Sequence, residues 1–475
     1  DHRDLHSFPT RRSSDLSGGS TVLAAKQFTN INLARSALVR GDNLGAADGP
    51  GVGQFQLLTA PVLSHAGSGD QIGIVPFMVG DTNVDGWGAG LVTYDPVTGV
   101  RLLTAAEYTN AFAADRNVRL SANDSIAGNT TIRALHLEGD GTTADLGGNN
   151  LRVDSQAIFV GGHGALQGGT ITFGTNTTGT TPVGYIHAVS NLTLNSSIVN
   201  NGGGAPATVV TFDGPGTIYV GATQAYTGNT YVFGGATIAP TASEVLSDLS
   251  FFALDEGNLI LGDGITETIG SLRGSGASYI EMGSNSTLRL LQNSSQSYYG
   301  MMNAITNSTL WKTGNGTLSL RNTMTNFQAN VVIDRGTLEL IDVNGRLPLV
   351  PRFSVTNATL ELDNQPGGDN ANQNDRIGQE ADVILNSGTI ILRGSRNANT
   401  SENIGDLVFQ SGFNTVQIDA DSQMNNNTYL NPNTFSRSNA ATALIRAEFL
   451  GETYSAVTNR SEERRVGKEC RSRWS

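Results

Sequence analysis

From about residue 126 to residue 420, short runs alternate apolar residues with Thr, Ser or another polar residue. A turn rich in Gly or Asn follows each run. Examples are Thr131-Ile-Arg-Ala-Leu-His-Leu137, Gly169-Thr-Ile-Thr-Phe173, Gly216-Thr-Ile-Tyr-Val220, Gly316-Thr-Leu-Ser-Leu320, Gly336-Thr-Leu-Glu-Leu340, Ala358-Thr-Leu-Glu-Leu362 and Gly388-Thr-Ile-Ile-Leu392. The unit is a small residue, then Thr, then Leu or Ile, any residue, and Leu or Val. Alternation with period two predicts strands with one buried face and a wet Thr face. The leading small residue suits a turn that needs positive φ.

Spacing decides how such strands are joined. The units at Gly316, Gly336, Ala358 and Gly388 are separated by 20, 22 and 30 residues. Antiparallel hairpins would repeat near ten residues, with two-residue turns between strands. A propeller would repeat near 40 residues with its own signatures. Turns of about 20 residues with variable excursions predict an all-β fold, a right-handed parallel β-helix (β-solenoid). One coil cannot bury its own apolar face. Coils stacked about 4.8 Å apart pair every backbone group with the coil above and below.

The region from 17 to 125 is expected to be β-rich but less regular, with the solenoid repeats over 126–459. Helical signal is sparse. Thr104-Ala-Ala-Glu-Tyr-Thr-Asn-Ala-Phe112 is the best helix candidate, and Ser243 to Leu249 suits a further turn. Residues 1–16 and 460–475 match nothing in the middle and are expected not to pack on it. Val466-Gly-Lys-Glu-Cys470 can be encoded by a string whose reverse complement encodes His6-Ser-Phe-Pro-Thr10. Both ends therefore resemble one translated sequencing adapter read in opposite orientations. The alternative is a basic tail for an anionic partner.

Composition narrows the function classes. The chain has 58 Gly in 475 residues, against a usual frequency of about 7%. Net charge is −13, and Lys26 and Lys312 are the only lysines between the two ends. No basic face is available for nucleic acid or anionic lipid. The single cysteine, Cys470, lies in the C-terminal tail, so the body offers no disulfide framework and no thiolate metal site. No apolar run reaches the roughly 18 residues a membrane helix needs.

A longer unit recurs. Lys312-Thr-Gly-Asn-Gly-Thr-Leu-Ser-Leu320 is followed by Phe327 and by Gly336-Thr-Leu-Glu-Leu340. Gly214-Pro-Gly-Thr-Ile-Tyr-Val220 is followed by Tyr226-Thr-Gly228 and Gly235-Ala-Thr-Ile238. This resembles the autotransporter-associated β-strand repeat of bacterial autotransporter passenger domains. That pattern runs Lys-Thr-Gly-x-Gly-Thr-Leu-x-Leu, then Tyr/Phe-Thr-Gly, then Gly-Thr-Leu-x-Leu. The second copy lacks the leading Lys-Thr, and Phe327-Gln-Ala departs from aromatic-Thr-Gly. The resemblance implies an exported fragment at the cell surface or released, with adhesion, matrix or spacer roles. It also implies an outer-membrane translocator domain in the full-length protein.

Candidate chemistry is thin. Asp81-Thr-Asn83-Val-Asp85-Gly86 fits the start of a calcium loop, with oxygen ligands at alternate positions. Position twelve is Val92 instead of a bidentate Glu, so an Asx-rich surface turn is the competing reading. His65, His136, His163 and His187 lie far apart in sequence and suit turn or surface roles. Asp363, Asp369, Asp375 and Arg376 are the acids and base that a carbohydrate-active enzyme would use on a β-helix, or else ordinary turn residues. No cofactor is expected. A surface glycan or other cell-surface ligand is the expected partner, met by outward Asn, Thr and aromatics such as Tyr298 and Tyr299. The main reading is a non-catalytic display scaffold. A polysaccharide lyase or glycosidase is the alternative, distinguished by paired carboxylates in a groove.

Overall fold

A computed structural model describes residues 20–28, 35–174, 179–365, 372–420 and 426–447. The adapter-like ends, 1–16 and 460–475, lie outside the described residues. The chain is all-β, and its strands form long parallel ladders of a β-solenoid. Among the described residues there is no α-helix, and no helix is long and apolar enough to cross a membrane. Two compact units are present, Asp1–Ala236 and Thr237–Ser475.

The second unit shows the repeat most plainly. Thr317–Leu320, Gly336–Leu340, Ala358–Asp363, Thr389–Arg393 and Phe413–Asp419 pair in parallel, each with the next. Their register stacks like on like. Leu318 faces Leu338, then Leu360, Ile390 and Val416, while Thr317 faces Thr337, Thr359, Thr389 and Thr415. Every member of the leucine ladder is buried. A second ladder runs through Thr287–Leu291, Thr309–Thr313, Asn330–Ile333, Arg352–Thr356, Asp382–Asn386 and Thr400–Ser411. Unequal coil lengths are absorbed at the corners, so the register survives the 30-residue coil.

The small residue opening each unit is needed for a different reason at different coils. At Gly336 the backbone has φ +62°, as expected. At Gly316 there is no positive φ; a Cβ there would lie 2.5 Å from the Ser294 carbonyl of the preceding coil. The left-handed residue is often one place earlier, as at Asn357 (φ 48°) before Ala358 and Ser387 (φ 52°) before Gly388. Close approach of stacked backbones, more than turn geometry, excludes larger side chains.

In the first unit, Val118–Leu120, Leu135–Leu137, Ala157–Val160, Val183–Ala188 and Val209–Asp213 form one parallel ladder. Here the alternation fails. Ala157–Val160 and Val183–Ala188 are buried at every position. The cause is the region N-terminal to the coils, which lies on their outer face. Ile74, Val79, Leu91, Leu103 and Tyr108 pack into one cluster with Ala134, Ala157 and Phe159.

That N-terminal region departs from coil stacking. Ala37–Arg40 pairs in parallel with Met78–Asp81, and Gly90–Asp95 and Gly99–Leu102 continue as an antiparallel meander. It has a cluster of its own, Val75, Met78, Val92 and Val100, but shares the larger one with the coils. The expected helix at Thr104–Phe112 shrinks to a single 3-10 turn, Ala105–Glu107. The Glu107 carboxylate accepts the Thr104 backbone N–H at 2.7 Å and is clasped by both terminal nitrogens of Arg101. Tyr108 then turns extended (φ −132°, ψ 153°) to bury its ring. Ser243 to Leu249 forms turns only.

Leu338 tests the ladder, since it is enclosed by Leu318 and Leu360. Leu338→Ala is expected to cost about 2–5 kcal/mol. Thr337→Ala on the wet face should stay within about 0.5 kcal/mol. Urea unfolding followed by circular dichroism measures both.

Candidate functional site

Polar residues enter the coil interior beside the aliphatic ladders. Lys312 occupies an inner position between Leu290 and Ile333 and is fully buried. Its Nζ donates to the carbonyls of Gly314 at 2.8 Å and Arg335 at 2.6 Å. Burial pushes the amine down to about 8. A Cβ on Gly336 would sit 2.5 Å from Nζ, so the glycine also makes room for the amine.

Glutamates do the reverse job. Glu267 accepts the backbone N–H groups of Val245 at 3.0 Å and Leu246 at 3.1 Å. Glu402 accepts those of Arg376 and Ile377, both at 2.9 Å. Burial pushes their carboxyls up to about 7 and about 8, against the opposing pull of those N–H donors. Where a corner offers one N–H and one carbonyl, an amide is used. Gln292 accepts from Leu272 N at 2.9 Å and donates to Ser294 O at 2.9 Å. Gln224 accepts from Ile198 N and donates to Ser196 O, and Asn414 accepts from Gly388 N and donates to Ser411 O.

On the outer face, the one acid cluster with ligand-like spacing among the described residues is Glu339, Glu361 and Asp363. One carboxylate oxygen from each lies within 4.8 Å of the others. Glu339 and Glu361 are in register on adjacent coils, and Asp363 is in register with Arg393 and Asp419. Arg393 Nε donates to Glu361 at 2.5 Å and Nη1 to Asp419 at 2.9 Å. Ser319 Oγ donates to Glu339. Glu361, Asp363, Gln365, Arg393 and Arg396 line an open hollow. Burial, helped by the charges of Glu361 and Glu339, raises the Asp363 carboxyl; the Gln365 N–H and Arg393 oppose it. An acid inclined to hold its proton beside a second acid hydrogen-bonded to an arginine is an arrangement that general acid–base chemistry uses. It is also what a ladder of stacked like charges needs to be neutralised.

The other anticipated residues do not join this hollow. Asp375 sits at a corner with φ +51° and accepts from the Asn403 backbone N–H and amide. Arg376 is fully buried and donates to Gly345 O, Asp342 O and Asn364 Oδ1. Burial pushes its guanidinium down to about 10, against the pull of Glu402, Asp363 and Asp342. Asp369 lies outside the described residues.

The calcium candidate forms an Asx turn. Asp81 is buried and accepts the N–H groups of Asn83 at 2.8 Å and Gly88 at 2.9 Å, and Asn83 Oδ1 accepts from Asp85 N. Tyr298, expected outward, is fully buried with its hydroxyl on the Met301 carbonyl; Tyr299 is exposed. His136 and His187 are buried too, which corrects their surface assignment. His187 pairs with Asp213, a partner 26 residues away that sequence spacing did not suggest. The useful signal was register, since the two residues face each other on adjacent strands of the same ladder.

Lys312→Met would keep volume but strand the Gly314 and Arg335 carbonyls. The expected loss is about 1–3 kcal/mol. Leu290→Met, at the neighbouring ladder position, should cost less than about 1.5 kcal/mol. Urea midpoints of the two variants compare them. Searches of protein-family models, curated proteins and solved structures returned no match to the chain.

Proposed function

We propose that this chain is a non-catalytic fragment of an exported bacterial passenger, a β-solenoid whose loops and outer ladders are displayed at the cell surface or after release. The observation that carries the reading is register. The Thr-Leu-x-Leu units that resemble the autotransporter repeat occupy equivalent positions on successive coils, and their variable lengths leave at the corners. The repeat's Lys-Thr-Gly has a physical task as well, since Lys312 ties off corner carbonyls. Such a scaffold holds loops on a stiff base, which suits adhesion, matrix or spacer roles. A surface glycan or another cell-surface molecule is the proposed partner, met by exposed Thr, Asn and Tyr299.

A second reading has one observation in its favour, the carboxylates of Glu339, Glu361 and Asp363 beside Arg393. It makes the outer hollow a polysaccharide-cleaving site. The pairing of Arg393 with both Glu361 and Asp419 favours the scaffold role, because it ties down the acid that would attack.

Incubation of the chain with a panel of plant and bacterial polysaccharides separates the two. The expected outcome is binding to some glycans on an array with no release of reducing or unsaturated ends. Cleavage that disappears in Asp363→Ala or Glu361→Gln would overturn the display reading and establish the enzyme.

A further inference from the structure

In the first unit, one outward column of the ladder runs Arg119, His136, Phe159, His187 and Asp213 on successive coils. The N-terminal region covers this column. Ile74 and Val79 pack with Phe159, and the Pro76 carbonyl reaches His187. His187 Nε2 is 2.9 Å from Pro76 O, and Nδ1 is 2.7 Å from Asp213 Oδ1. The side chain is 1% exposed and that of Asp213 is 9% exposed.

The two contacts set the protonation state. A peptide carbonyl only accepts hydrogen bonds, and so does an ionised carboxylate. A neutral imidazole carries one N–H, so it serves one of these partners and turns a lone pair toward the other. Only the imidazolium serves both. We propose that His187 is a charge-dependent clamp, fastening the N-terminal segment around Pro76 to the coil wall and releasing it when the ring loses its proton.

The groups around the ring are few. Asp213 faces it from the following coil and Phe159 from the preceding one. Tyr185, on the same strand, lies parallel to it at 6.0 Å and 5°. Pro76 contributes its carbonyl from the N-terminal segment. Further along the column, beyond Phe159, His136 is lodged edge-on between Phe159 and Tyr108. Burial, and less strongly Arg119, pushes His136 down to about 4, so it does not titrate on the alkaline side.

The sign follows from the balance at His187. Burial alone would lower its pKa, but the Asp213 charge, the Asp213 hydrogen bond and the Pro76 carbonyl together raise it above 6.5. A group raised in the folded state adds stability that is fully present below its unfolded value. That contribution is lost as pH rises through the folded value. Release is therefore an alkaline event, in which the segment opens locally while the coils persist.

Hydrogen exchange of the full chain, corrected for intrinsic rates and followed by mass spectrometry from pH 6 to pH 9, tests the clamp. Peptides covering residues 72–81 should lose protection by about tenfold or more across that range. Peptides from 309–419 should not, and they report that the coils remain folded. His187→Gln should remove the step, leaving low protection at every pH, whereas Tyr185→Phe should keep it. A step that survives in His187→Gln, or flat protection in the wild-type chain, overturns the proposal. Should His187→Gln fail to fold, imidazole nitrogen NMR of the wild-type chain decides. Two protonated ring nitrogens at pH 6 that give way to one as residues 72–81 open support the clamp, and a neutral ring at pH 6 overturns it.

Discussion

Backbone groups at the corners of the coils constrain everything else in this molecule. Along a strand, each N–H and carbonyl finds its partner in the coil above or below. At a corner the chain bends and some of these groups turn inward, where no water satisfies them. A buried polar group left without a partner costs about 1–3 kcal/mol, so the interior must supply one. The residues chosen match the backbone they meet. Two carbonyls take an amine at Lys312, two N–H groups take a carboxylate at Glu267 and Glu402, and one of each takes an amide at Gln292. These interior polar side chains stand among aliphatic neighbours, so packing does not account for them. Hydrogen-bond accounting does.

The same stacking that creates this demand also shapes the outer surface. Equivalent residues on successive coils lie one above another. Threonine tolerates that, because neutral hydroxyl and methyl groups do not repel, and Thr317, Thr337, Thr359, Thr389 and Thr415 form such a column. Acids do not tolerate it. Where Glu339 and Glu361 stack, Arg393 enters between Glu361 and Asp419. Arg321 is paired with Asp342 on the following coil. The outer ion pairs read first as relief of stacked charge, and any ligand for the Asp363 hollow would have to compete with that.

Much of the fold was legible in the sequence because its signal is local. Period-two alternation names the buried face, and a spacing near 20 residues rejects hairpins. Leu318 beside Leu338 follows from those two facts alone. What escaped reading is non-local. Tyr298 and Tyr299 differ in side by one position: Tyr298 ends the strand Gln296–Tyr298 in register with inward Leu320, and Tyr299 lies just past it. The burial of Lys312 follows only from its register between Leu290 and Ile333. The His187–Asp213 pair depends on a coil of 26 residues, a length fixed by its loop. Of the candidate site, Asp363 was anticipated, but Glu339 and Glu361 were hidden as the variable position of the repeat.

The N-terminal region is best understood through the edge it covers. A parallel ladder ends in a row of unpaired N–H and carbonyl groups, which invites pairing with another chain. At the start of this ladder, Thr109 bridges Val118 in parallel, and its backbone exchanges hydrogen bonds with Asn117 and Arg119. Asn117 is buried and donates to the Ile72 carbonyl at 3.0 Å, while its N–H reaches Asp70 O at 2.7 Å. The meander then lies across the outer face, burying Phe159 and both sides of two strands. An irregular segment was needed because a further regular coil would only have moved the open edge by one step. At Val118–Leu120 the edge is met by the single bridge to Thr109 and by Asn117, while the antiparallel pair Gly90–Asp95 and Gly99–Leu102 belongs to a separate sheet packed beside the coils.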